Sequence, residues 1–240
     1  MQLNRDTLHV WLVRLEVASP QLDELERTLS ADEIARADSF YFERDRRSFV
    51  AARGILRTTI ANYLATPPSA LRFSYNEFGK PYLEGSREVC DLSFNVSHSG
   101  GLALIAIALA RDVGVDIEVI DESVRTDEVA KHFFSASEVA ALARLPQSLR
   151  TSGFFNCWTR KEAYIKARGM GLSIPLDSFD VTLIPGEPAA LMRTEDSLDV
   201  SNWKIENLEI DSRYAGAIAA AGRDWKITRL DWQANLTGAG

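Results

Sequence analysis

The chain has 240 residues, 46% of them apolar and 25% charged, with 27 basic against 34 acidic side chains and a net charge of −7. That is enough apolar material for one large domain or two small ones, and no apolar run approaches the ~20 residues of a membrane span. The acidic balance excludes broad non-specific nucleic-acid binding, but it leaves room for a local basic pocket that takes a phosphorylated ligand.

Met1–Val10 carries Arg5, Asp6 and His9 and lacks a signal-peptide pattern. Cys90 and Cys157 are widely spaced and outside any metal or redox motif, so they read as free thiols of a reducing compartment. A cytoplasmic protein is the expectation.

In chain order, Leu8–Val17 reads as a first strand, broken at Ser19-Pro20. Gln21–Leu29 is a short amphipathic helix. Ser30 followed by Glu33 is a capping box that starts a second helix, running to about Ser39. Arg44–Ala65 is a long helix with Phe49, Ala52, Ile55, Leu56, Ile60 and Tyr63 at core spacing, ending before Pro67-Pro68. This region is dense in arginine, with Arg36, Arg44, Arg46, Arg47, Arg53 and Arg57; most would form a solvated face, and one or two could reach a phosphate.

Leu71–Tyr75 is a short strand and Asn76–Pro81 a turn. Leu92–Asn95 is a strand that runs into Ser97-His98-Ser99-Gly100-Gly101. Leu102–Ala110 is an apolar run compatible with a buried strand or a buried helix. Val113–Val119 is a strand, with Val113, Val115, Ile117 and Val119 on one face and Gly114, Asp116 and Glu118 on the other.

Beyond the acidic Asp121–Thr126 segment, Asp127–Phe134 is helical, and Ser135 with Glu138 caps a further helix that stops at Pro146. Ser152–Arg168 is a helix ended by Gly169. Phe179–Leu183, Trp203–Leu208, Tyr214–Ala221 and Trp225–Leu230 are later strands, and Thr237–Gly240 is a frayed tail. Each part of the chain places helices before strands, which hints at two similar halves.

Three polar stretches sit inside apolar segments. Trp158, Glu162, Ile165, Lys166 and Gly169 share one helix face. Trp158 and Ile165 suit a core stripe, whereas Glu162 and Lys166 suit either a solvated i,i+4 pair or a site. Asp116 and Glu118 project from the same strand face; they form either a solvent-facing surface or a pair that repels until a cation lies between them. With Glu162 they would complete an oxygen-donor set of the kind Mg²⁺ takes, and Lys166 would add positive charge for phosphoryl transfer. His98 beside Ser97 and a Gly-Gly turn could donate to a phosphate. His9, His98 and His132 show no zinc spacing, and no Ser-His-Asp nucleophile arrangement is discernible.

Together these stretches resemble the 4′-phosphopantetheinyl transferase superfamily, in its long, surfactin-synthetase-activating type. Phe94-Asn95-Val96-Ser97-His98-Ser99 resembles the family's F-N-[IV]-S-H block, and Val113-Gly114-Val115-Asp116-Ile117-Glu118 its [VI]-G-[VI]-D-[IV]-E block. Phe154–Leu172 resembles its F-[FY]-x-x-W-[ST]-x-K-E-[AS]-x-x-K-x-x-G-x-G-L block. Phe78-Gly79-Lys80-Pro81 and Phe133-Phe134-Ser135 add support, and the likeness runs from about Ser30 to Val181.

The resemblance implies an α+β fold of two related halves, 1–112 and 113–240, arranged by a pseudo-twofold with coenzyme A in the cleft between them. It implies Mg²⁺ held by Asp116, Glu118 and Glu162 with the coenzyme A pyrophosphate. Lys166 would contact the phosphate, and His98 and Arg36 would hold the 3′-phosphate. Lys80, Pro81 and the Asn95–Ser97 segment would line the nucleotide site. Some members carry a second basic residue three before the Arg36 position; Glu33 stands there in this chain, and Arg53 is the substitute. The partners implied are coenzyme A and apo acyl or peptidyl carrier proteins, with no nucleic acid or membrane, and the protein would be a monomer. Two other readings stand beside it: a different Mg²⁺-dependent phosphotransferase or phosphohydrolase using the same carboxylates, and a non-catalytic coenzyme A-binding module in which they are only a polar strand face.

Overall fold

The structure, a computed structural model, describes residues 2–85, 91–195 and 197–233. Cys90 and the Thr237–Gly240 tail lie outside the described residues. Cys157 is a buried free thiol, and burial pushes its pKa up.

The first half runs β1 (Thr7–Arg14), α1 (Ser19–Glu26), α2 (Ala31–Asp38), α3 (Glu43–Leu64), β2 (Phe73–Tyr75), β3 (Pro81–Leu83), β4 (Leu92–Ser99) and β5 (Leu102–Leu109). The second runs β6 (Val113–Val119), α4 (Thr126–Phe133), α5 (Ala136–Arg144), α6 (Gln147–Arg168), β7 (Asp180–Val181) and β8 (Leu191–Arg193). It continues with α7 (Ser197–Asn202), β9 (Trp203–Asn207), β10 (Tyr214–Ala221) and β11 (Lys226–Asp231). Among the described residues no helix is long and apolar enough to cross a membrane.

The two halves repeat one plan. A strand is followed by helices ending in a helix of 22 residues, then a small two-stranded ribbon, then an antiparallel pair. The sheet orders match: β1-β5-β4 in the first half and β6-β10-β9 in the second. The internal supports match as well. Capping boxes at Ser30/Glu33 and Ser135/Glu138 start α2 and α5. Glu33 then pairs with buried Arg57 of α3 at 2.6 Å, and Glu138 pairs with buried Lys161 of α6 at 2.8 Å. Each cation also donates to two carbonyls of the following loop, Pro68 and Leu71 for Arg57, Leu176 and Phe179 for Lys161. The paired and hydrogen-bonded charges are therefore compensated in the core.

Three cores result. One lies between the first sheet and α1–α3, and a second between the second sheet and α4–α6. The third lies where the sheets face each other, with Leu8, Val10, Leu104, Ala106, Val115 and Ile117 around Trp225. β5 is apolar on both faces because Ile105 and Ile107 enter the first core while Leu104 and Ala106 enter the third. That two-sided burial is why Leu102–Ala110 reads as a continuous apolar run, and it resolves that run as a strand.

β11 crosses back to pair in parallel with β1, from Thr7↔Lys226 to Leu12↔Asp231. The expected division after Asp112 falls just before β6, yet the last strand of the second half completes the sheet of the first.

Candidate active site

The site forms where β6 passes under α6. Gly114 makes the close approach possible: a Cβ there would stand 2.2 Å from the Ala163 carbonyl oxygen and the Ala167 nitrogen. With no side chain at Gly114, the helix settles on the strand face that carries Asp116 and Glu118. Its own polar face then brings Lys166 to Asp116, Nζ to Oδ1 at 2.6 Å. Ser97 of β4 joins them, donating to Asp116 Oδ1 at 2.8 Å and accepting from Lys166 at 3.2 Å.

Asp116 is 1% exposed, and its Oδ2 is buried with no hydrogen-bond partner. Burial pushes the Asp116 carboxyl above its ordinary value, and the Lys166 ammonium opposes the shift. Glu118 is raised by burial and by the charge of Asp116. Glu162 is raised by burial, with Lys166 opposing and Asp116 and Glu118 adding to the rise. The three acids therefore share one electrostatic environment around a single ammonium. Among the described residues, no group of three or more His, Cys, Asp or Glu side chains already stands in ion-holding geometry. Lys166 pairs with Asp116 and opposes the rise of all three acids.

β4 lies beside β6 without a shared backbone ladder. Alternate side chains of β4 take its place: Asn95 Oδ1 accepts from the Val115 N–H at 2.9 Å, Ser97 Oγ from Ile117 at 3.4 Å, and Ser99 Oγ from Val119 at 3.1 Å. This seam joins the two halves at the carboxylates. His98, between two seam residues, points the other way and is exposed. It lines a cavity of ≈ 1080 Å³ with Phe40, Arg44, Arg47 and Gly100.

The Asn76–Pro81 turn reaches the far end of α6. Asn76 donates to the Gly169 carbonyl at 2.6 Å, and Lys80 Nζ donates to the carbonyls of Val113 and Ala167, each at 3.1 Å. Burial lowers the Lys80 pKa to about 8. Lys80 and Pro81 line a second cavity, of ≈ 500 Å³, with Asn76, Phe94, Asp112 and Gly169.

Residues 16–109 match the N-terminal domain of 4′-phosphopantetheinyl transferases, and residues 112–219 match the 4′-phosphopantetheinyl transferase superfamily. The 4′-phosphopantetheinyl transferase HetI of Nostoc sp. (strain PCC 7120) is 38% identical over 226 residues, covering 94% of this chain and 92% of its own. The chain belongs to the 4′-phosphopantetheinyl transferase family.

The 4′-phosphopantetheinyl transferase Sfp of Bacillus subtilis (strain 168) is 31% identical over 207 residues, covering 85% of this chain and 88% of its own. A solved holo-(acyl-carrier-protein) synthase from Bacillus anthracis in complex with CoA (3′,5′-ADP) is 18% identical with a TM-score of 0.39, over 46% of this chain and 94% of that one.

Set against what the family resemblance implied, the structure gathers Asp116, Glu118, Glu162, Lys166 and Ser97 into one cluster. It divides the other residues. His98 lines one cavity, and Lys80 with Pro81 line another. Arg36 stands exposed on α2.

Two of the expected residues are engaged within the protein. Arg53 pairs with Glu33, which also pairs with Arg57, and lies over the Phe73 ring, 4.4 Å from its centroid. Burial pushes Glu33 up, but the bonds from Arg57, Ser30 and Arg53 outweigh it and hold Glu33 below its ordinary value. Asn95 is 5% exposed, with its side-chain oxygen engaged by the Val115 N–H of β6.

The residues of this transferase that the sequence did not single out are Ser99 and Asn76; Arg44 and Arg47, two of the six candidate arginines, are the ones that line the cavity of His98. Ser99 carried a signal: it continues the Asn95–Ser97 alternation by one further step. The arginines carried none that set them apart from their neighbours.

Proposed function

We propose that this transferase moves the 4′-phosphopantetheine group of coenzyme A to a serine hydroxyl of an apo acyl or peptidyl carrier protein, in an Mg²⁺-dependent reaction that releases 3′,5′-ADP. The observation that carries the reading is the cluster of Asp116, Glu118 and Glu162 around Lys166 at the junction of the two halves.

The residues suit a magnesium ion. All three donors are carboxylates, which a hard cation prefers. Asp116 Oδ2 is buried and unpaired, and the acids repel one another where they stand. When bound there, Mg²⁺ would supply neutralising charge for the coenzyme A pyrophosphate. Lys166 is within reach of the same charge and would stabilise it on the leaving phosphate. Glu162, its pKa raised by burial, would accept the proton of the attacking carrier serine. A bond then forms between the serine oxygen and the β-phosphorus, the phosphorus–oxygen bond to the α-phosphate breaks, and 3′,5′-ADP departs.

His98, with Arg36 or with Arg44 and Arg47 of the same cavity, would hold the 3′-phosphate. Lys80 and Pro81 would line the nucleotide site from the second cavity. The enzyme would act as a cytoplasmic monomer: both halves and the returning β11 belong to one chain, and the buried Cys157 thiol suits a reducing compartment.

Release of 3′,5′-ADP, followed chromatographically with and without an apo carrier protein, tests the reading. Release that needs both Mg²⁺ and the carrier supports it. Release without any acceptor would point to a phosphohydrolase. Binding of coenzyme A with no release on any carrier would point to a non-catalytic module.

A further inference from the structure

Ser99 has two jobs at the end of the β4–β6 seam. Its Oγ accepts from the Val119 N–H at 3.1 Å and donates to Glu118 Oε2 at 3.0 Å. With one acceptor and one donor engaged, the hydroxyl is orientationally fixed, and so is the carboxylate oxygen it reaches. The neighbouring seam residue Ser97 makes the same double contact with the Ile117 N–H and Asp116 Oδ1. The turn beyond Ser99 is held as well. Tyr214 donates to the Gly100 carbonyl at 2.7 Å, and a Cβ at Gly100, where φ is +55°, would stand 2.1 Å from Val119 Cγ2. The backbone carrying Ser99 is therefore clamped from both sides.

We propose that Ser99 is a positioning residue for Glu118: its hydroxyl holds one carboxylate oxygen and so sets the orientation in which the carboxylate meets a divalent cation. This rests on the magnesium reading above. It assigns the last serine of the Phe94–Ser99 block to metal geometry rather than to the nucleotide. A group holding a metal-ligating carboxylate in this way typically contributes about 10–100-fold in metal affinity. The contact also lies across the join, since Ser99 belongs to the first half and Glu118 to the second. The affinity of the second half's carboxylates would therefore depend on the seam staying closed.

The test is Mn²⁺ binding by titration calorimetry on the full chain in the presence of coenzyme A, without carrier, for the native protein, Ser99→Ala and Ser99→Thr. The expected result is a Kd at least about 10-fold weaker in Ser99→Ala, with recovery in Ser99→Thr, which keeps the hydroxyl. A purely structural role would lower the melting temperature of Ser99→Ala and leave the Mn²⁺ Kd unchanged, and that overturns the proposal alone. No Mn²⁺ binding by the native protein overturns the magnesium reading together with the proposal. Should Ser99→Ala fail to fold, Ser99→Thr against the isosteric Ser99→Val makes the same comparison. Weaker binding only in the valine variant supports the proposal, and equal binding overturns it.

Discussion

Lys166 Nζ stands 2.6 Å from Asp116 Oδ1 and 3.2 Å from Ser97 Oγ, so one ammonium ties α6 to β6 and to β4. Replacing Lys166 with Met leaves Asp116 buried without its counter-charge. Removing one partner of a buried pair costs about 3–5 kcal/mol, and the 28% exposure of the Lys166 side chain reduces that to roughly 1–3 kcal/mol. In a chain of this size the melting temperature should fall by about 2–4 °C per kcal/mol. Transfer should fall by roughly 10²-fold or more, because the group facing the developing phosphate charge is lost. Lys166→Arg should recover stability better than turnover, since a planar guanidinium cannot reproduce the point contact with Asp116. Thermal denaturation and single-carrier kinetics measure the two effects separately.

Gly114→Ala should separate the two walls of the site. The added Cβ would meet helix backbone at 2.2 Å, which no side-chain rotation can relieve. Overpacking of this kind costs about 1–3 kcal/mol, and a displacement near 1 Å at reacting groups can cost about 10²-fold in rate. Turnover should therefore drop far more than the small fall in melting temperature would suggest. Near-native kinetics would mean that α6 does not set the site's geometry.

The raised carboxylates make a prediction about pH. Asp116, Glu118 and Glu162 hold protons in the folded chain at pH values where the unfolded chain has released them. As pH rises from the ordinary carboxylate range through their folded values, the folded state loses stability relative to the unfolded; above those values the loss is complete. His9, whose pKa burial lowers, contributes in the opposite sense, so the carboxylates are read from the difference between variants. Between pH 5 and pH 7 the metal-free native protein should lose melting temperature relative to Glu118→Gln, which should melt higher at pH 7 by on the order of a few °C. Mg²⁺ should raise the native protein at pH 7 and leave Glu118→Gln nearly unmoved. A melting-temperature difference between Glu118→Gln and the native protein that does not grow from pH 5 to pH 7 without metal would contradict the cluster's energetics.

Lys80 is predicted to be a strut as well as a pocket residue. Lys80→Met leaves the Val113 and Ala167 carbonyls unpaired, at about 1–3 kcal/mol for a buried polar group left without its partner. Its pKa of about 8 lies below the ordinary lysine value. Between pH 8 and the unfolded lysine value near 10.4, the unfolded chain holds a proton the folded one has released, so stability contributed by this group rises with pH across that window. Urea midpoints at pH 8 and pH 10 should show that gain in the native chain and lose it in Lys80→Met.

The site was legible wherever a period was intact. Asp116 and Glu118 share a face because strands repeat every two residues, and Glu162 and Lys166 share one because helices repeat near every four. Which helix would cover which strand could not be read the same way, although Gly114 is the physical reason α6 docks there. α6 begins at Gln147 rather than Ser152 because Gly153 and its polar neighbours weaken the local signal. Packing settles the matter: Gly153 admits Leu145 so closely that a Cβ would stand 2.5 Å from its Cδ1. β7, β8 and α7 are too short to display a period. The pairing of Glu33 was not legible: the sequence marks it as a cap, while in the fold it caps α2 and pairs with two arginines of α3 at once. Distances across the chain decide such pairs, and no local pattern encodes them.

Whether the acids around Lys166 transfer the phosphopantetheine arm is measured by intact mass of an apo carrier protein incubated with coenzyme A, Mg²⁺ and either the native chain or Glu162→Gln. The carrier should gain one phosphopantetheine with the native chain, lose that gain when EDTA is added, and show none with Glu162→Gln at matched folding. A near-native gain with Glu162→Gln would contradict the role given to that carboxylate. No gain with the native chain on fatty-acid, polyketide and peptide carriers alike would contradict the function itself.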